Sequence, residues 1–131
     1  MKNKRRKLLA FALALVLLMG STLGVHAASK SVVSNVNGFR CTGSGTVTST
    51  FVSASFNASA LPGTPVQPDE AYSSHISALV KDRYGNLLLN RYVKGTTSGS
   101  LYYSPSGTSI NYADIGFDFM GSYVGGVLIY A

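Results

Sequence analysis

Beyond residue 38 the apolar residues fall in short clusters, many alternating with polar ones, and Gly, Pro, Asn and Ser separate the clusters. A period of two marks a half-buried strand. The clearest stretch runs from Tyr72 to Val93. Tyr72, Ile76, Ala78 and Val80 share one face of an extended chain, while Ser73, His75, Ser77 and Lys81 take the other, with Leu79 the exception. Asp82-Arg83-Tyr84-Gly85-Asn86 then supplies a hairpin turn in which Gly85 or Asn86 suits φ > 0. On the return, Leu87, Leu89, Arg91 and Val93 lie opposite in phase to Leu88, Asn90, Tyr92 and Lys94.

The same pattern predicts a strand from Phe39 to about Gly43, a turn or bulge at Gly43-Ser44-Gly45, and a longer strand from Thr46 to Ser59. In that longer strand Val47 and Phe51 are in step, whereas Val52, Ala54, Phe56 and Ala58 belong to the opposite set. A bulge near Thr50 would reconcile the two phases. Leu61–Asp69, with three prolines, reads as a loop. Leu101-Tyr102-Tyr103, then Ile115, Phe117 and Phe119, and finally Val127–Tyr130 complete the set. Gly121-Ser122 and Gly125-Gly126 break the chain between the last two. The expectation is an all-β domain, a small antiparallel β-sandwich of about seven strands, over residues 38–131. Such a domain buries enough surface to need no cross-links.

Residues 1–27 have a different character. Lys2–Lys7 form a basic segment, Leu8–Met19 an apolar one, and Val25-His26-Ala27 a small-residue processing site. This is the layout of a secretory signal helix, cleaved after Ala27 and only transiently in the membrane. Counted from Leu8 to Val25 the apolar stretch is at the short limit for a span and is interrupted by Gly20 and Gly24, which weighs against a retained anchor. Residues 28–37 are expected to be a flexible mature N-terminus. Cys41 lies too far from the cut for a lipoprotein, and Leu61-Pro62-Gly63-Thr64-Pro65 is not a sortase motif.

Charge changes meaning once the signal is set aside. The whole chain carries +6, but five of its eleven basic residues lie in the first seven positions. The remaining six face five acidic residues, so the exported part is close to neutral and gives no basic surface for nucleic acid. A low Lys content also leaves few charges to guard sheet edges, so self-association through an edge is a further expectation.

Reactive groups are few. Cys41 is in phase with Phe39 and reads as a buried small residue rather than a nucleophile paired with His75. A single Cys could otherwise bridge only to another chain. His75 lies on a polar strand face without the further ligands a metal needs. Asp114, Asp118 and nearby Asn111 fall short of the oxygen set for Ca²⁺, and the two acids read as a solvated turn acid at Asp114 and a solvent-face acid at Asp118. No catalytic residue, cofactor or metal is therefore expected. Tyrosine is the class that stands out, with all eight in the last half of the chain, seven of them from Tyr84 onward, and no Trp. A tyrosine ring among Ser, Thr and Asn can stack on a sugar. Tyr92 and Tyr102 are the expected exposed stacking residues, because each is out of step with the apolar set of its strand.

The basic signal followed by a Ser/Thr/Gly/Tyr-rich β-domain resembles small exported β-proteins of Gram-positive bacteria. Through His75-Ile76-Ser77-Ala78-Leu79-Val80 and the Asp82–Asn86 hairpin it is also similar to the β-sandwich bacteriocins of the lactococcin type. It departs from them in lacking Trp, and no functional residue carries over. The expected function is a secreted, non-enzymatic, extracellular or cell-wall binding module for a glycan, a wall component or a protein. A bacteriocin-like antagonist is the alternative, and a small extracellular enzyme the third reading.

Overall fold

The computed structural model describes residues 27–131, so the signal segment, but for its last residue Ala27, lies outside the described residues. The described chain is all-β, with eight strands: β1 (Ala28–Val36), β2 (Phe39–Val47), β3 (Val52–Ala60), β4 (Ser74–Asp82), β5 (Leu87–Gly95), β6 (Ser98–Tyr103), β7 (Ile110–Phe119) and β8 (Ser122–Tyr130). They form two four-stranded sheets, A in the order β1-β2-β3-β6 and B in the order β5-β4-β7-β8, with every pair antiparallel. The two sheets pack face to face around one core. The chain changes sheet between β3 and β4, between β5 and β6, and between β6 and β7. The first of these connections carries the three prolines and one 3₁₀ turn, Asp69–Ala71.

Alternation along β2, β3, β4 and, from Ala113 onward, β7 delivers the core. Phe39, Phe56, Phe117 and Phe119 meet there as aromatic pairs, with Phe39 and Phe119 ring centres 5.0 Å apart and Tyr72 set edge-on to Phe39 at 5.0 Å. Each such ring contributes about 1.5–3 kcal/mol by leaving water. Cys41 is fully buried among them as a free thiol. Burial pushes that thiol's pKa up, against a smaller lowering by a backbone hydrogen bond at Val36.

Three expectations change. Residues 28–37 hold strand β1, joined to β2 by a two-residue turn in which Asn37 (φ 52°) and Gly38 (φ 83°) both adopt positive φ. That conformation suits the twist of the flanking strands, and Asn-Gly is its preferred sequence. Gly43-Ser44-Gly45 is no turn but the middle of β2. Both glycines face inward, where Phe117 and Ile115 of β7 take the space a Cβ would need. The phase change near Thr50 is likewise no bulge. It marks a tight turn, Thr48–Phe51, closed by the Phe51 carbonyl accepting from the Thr48 N–H at 2.9 Å. Val47 and Val52 face each other across it, both buried. The Asp82–Asn86 turn forms as expected, with Gly85 at φ 82°.

Candidate functional site

The outer face of sheet B collects the solvent-facing half of four alternating strands. Its central row is Tyr92, Ser77, Gly116 and Gly126, one residue from each strand. Lys94, His75, Asp118 and Tyr123 form the row on one side, and Asn90, Leu79, Asp114 and Leu128 the row on the other. Because two members of the central row have no side chain, the face sinks there. The depression holds about 330 Å³ and is lined by Ser77, Leu79, Asn90, Asp114, Gly116 and Tyr123.

One aromatic ring, Tyr123, lines it, and a second, Tyr92, lies next to it on the same face, paired with Ser77. Tyr92, 58% exposed, stacks on His75 with ring centres 4.5 Å apart and planes 18° from parallel. This contact holds the ring against the neighbouring strand β4 and covers one of its two faces. Tyr123, 68% exposed, reaches its place through a register shift in β8. Asp118 pairs with Tyr123 and Phe117 with Gly125, so Val124 is the extra residue and turns into the core while Tyr123 stays outside. A bulge of this kind re-aims side chains. The Tyr123 hydroxyl then lies over Gly126, 2.6 Å from where a Cβ would stand, so the ring can lie across the sheet only if residue 126 is glycine.

This surface offers flat apolar rings beside a hydroxyl, an amide and a carboxylate. Such a set suits a polyhydroxylated ligand, whose ring faces are apolar and whose rims donate and accept hydrogen bonds.

Tyr92 and Tyr102 are both exposed, but they do not share a site. Tyr102, 63% exposed, lies on the outer face of sheet A, stacked on Phe51 at 5.8 Å. Cys41 and His75 are also apart, the thiol inside the core and the imidazole on the outer face of sheet B, so they form no nucleophile–base pair. Asp114 is a mid-strand residue rather than a turn acid, because β7 already begins at Ile110, and it and Asp118 both face outward on β7, on either side of Gly116. Among the described residues no three His, Cys, Asp or Glu side chains gather as a metal site would require. Tyr123 and the two floor glycines are the members sequence reasoning missed. The available signal was Tyr123-x-x-Gly126 beside Gly125, which suggests a break in the strand rather than a bulge. No protein-family model, curated protein or solved structure matches the chain.

Proposed function

We propose that this chain is an exported, non-enzymatic β-sandwich module that binds glycan, on the cell wall or free outside the cell, through the outer face of sheet B. The observation that carries the reading is the depression over Gly116, lined by Tyr123, with the Tyr92–His75 stack next to it on the same face, Tyr92 being paired with Ser77 of the lining. The signal-like residues 1–27 support export, with Ala28 as the first residue of the mature chain. A glycan array and pull-down on purified cell walls test the reading. Tyr92→Ala and Tyr123→Ala should each weaken binding roughly three- to tenfold, the worth of one aromatic contact, without changing the melting temperature by more than a few degrees. Silence of the wild-type protein in both assays would remove the reading. Growth inhibition of related strains at micromolar dose would replace it with the antagonist.

A further inference from the structure

We propose that the outer face of sheet A is a second glycan site, so that one molecule bridges two neutral polysaccharide chains; this rests on the reading of sheet B given above. On sheet A the outward positions are in register across all four strands. Ser29, Thr46, Ser53 and Tyr102 form one row, and Ser31, Ser44, Ser55 and Ser100 the next. Two depressions, of about 440 and 150 Å³, share Ser44 and Ser55, so together they make one trough along β2 and β3. At the narrower end it reaches Ser53, and the residue paired with Ser53 on β6 is Tyr102, stacked on Phe51. The trough therefore runs from a hydroxyl-lined floor to an aromatic platform.

Its chemistry differs from that of sheet B. No ionisable side chain lines either depression. A hydroxyl can donate once and accept twice. Ser29 with Thr46, and Ser44 with Ser55, pair across strands at 2.8 Å, which sets their rotamers and leaves the remaining capacity toward solvent. A floor that donates and accepts at short intervals, with no charge, fits an uncharged chain whose own hydroxyls do the same and whose ring face can rest on Tyr102. Within the trough a charged polymer would find no counter-ion, since Arg40, the next outward residue beyond Thr42 on β2, lies past its wider end. The two faces point in opposite directions across sheets that stack about 10 Å apart, so one extended chain cannot lie on both. Two sites on opposite faces make a cross-link.

The test uses the exported chain from Ala28 onward, which contains every strand. The probes are neutral hexasaccharides of glucose and of N-acetylglucosamine, with the corresponding long soluble polymers. Calorimetry of the better-binding hexasaccharide should give two sites per protein, and the matching polymer should cross-link, seen as light scattering that disappears at excess protein. Ser55→Lys with Tyr102→Ala, both on the solvent side of sheet A, should remove one site and abolish cross-linking while leaving Tyr92-dependent binding. Tyr92→Ala with Tyr123→Ala should do the converse, each pair weakening its own site about tenfold or more. One site per protein, lost through Tyr92 and Tyr123 and untouched by the sheet A pair, would overturn the bridge while leaving the sheet B reading intact. No binding of any probe or of cell wall would overturn both.

Discussion

A Cβ placed on Gly43 would fall onto the ring of Phe117, 2.5 Å from its Cγ, well inside the contact distance of two carbons. The ring cannot retreat, because it is fully buried and stacked against Phe56 with ring centres 6.3 Å apart. Two effects of Gly43→Ala oppose each other. Losing a flexible residue from the unfolded chain stabilises by about 0.4–1 kcal/mol. Overpacking costs about 1–3 kcal/mol. The second wins at this contact, so Gly43→Ala should destabilise by roughly 1–2 kcal/mol, seen as a lower urea midpoint at unchanged slope. The same substitution in a Phe117→Leu background should cost less, because the clash is then shared with a smaller side chain. Equal costs in the two backgrounds would show that the Gly43–Phe117 contact is not the cause.

At the scale of elements, the β4–β5 hairpin depends on one carboxylate. Asp82 Oδ1 accepts the backbone N–H groups of Tyr84 and Asn86, each at 2.9 Å, and Oδ2 accepts the Asn86 side-chain amide at 3.0 Å. Burial pushes the Asp82 carboxyl up, but the Asn86 side chain, the two backbone amides and the nearby Arg83 guanidinium outweigh it and hold the pKa below its usual 3.8. A folded-state pKa below the unfolded one stabilises the fold fully above the unfolded value, and that contribution is lost as pH falls through the folded value. Stability should thus decline as the pH is taken below about 4, and Asp82→Asn should be less stable at pH 7 with a flatter acid limb. Parallel acid limbs in chemical denaturation of the two proteins would refute this role. The hairpin was legible because everything it needs lies within a few residues: alternation, an acceptor and Gly85. The Asn37-Gly38 turn is equally local, yet residues 28–37 read as a flexible N-terminus, and β1, the strand that ends at this turn, was missed. Gly43 and Gly45 were not legible, since Phe117 and Ile115, which make them necessary, lie at the other end of the chain. The Thr48–Phe51 turn contains neither Gly nor Pro. It is held by the Thr48 hydroxyl accepting from the Phe51 N–H at 3.0 Å, so it read as continuous strand. At the site, alternation alone marked Tyr92 as exposed, whereas Tyr123 depends on a register shift that only the pairing of β7 with β8 defines.

For the whole molecule, the open question of assembly turns on four outermost strands. β1 and β8 lie against each other, with Gly125 passing so close to Val32 that a Cβ would stand 3.2 Å from it. At the other side β5 and β6 are tied by the Tyr103 hydroxyl donating to the Leu88 carbonyl at 3.1 Å, and by Arg91 Nη1 donating to the Tyr102 carbonyl at 3.5 Å. Two cations occupy inward-phase positions on these rims. Lys30 shares its set with Val32 and Val36 on β1, and Arg91 shares its set with Leu89 and Val93 on β5. A strand from another chain added at either edge would carry the cation away from solvent, at a cost that edge pairing must overcome. The chain has few lysines, but it places a basic side chain on one outermost strand of each sheet. The chain from Ala28 onward should therefore elute as a monomer, and Lys30→Val with Arg91→Val should shift it toward dimers and larger species while its melting temperature stays the same or rises. Light scattering across a concentration series reads the shift, and hydrogen exchange shows whether newly protected amides lie in β1 and β5. A wild-type dimer with those amides already protected would mean that the two cations do not guard the edges, and the bridge between glycan chains would then have to be counted per dimer rather than per molecule.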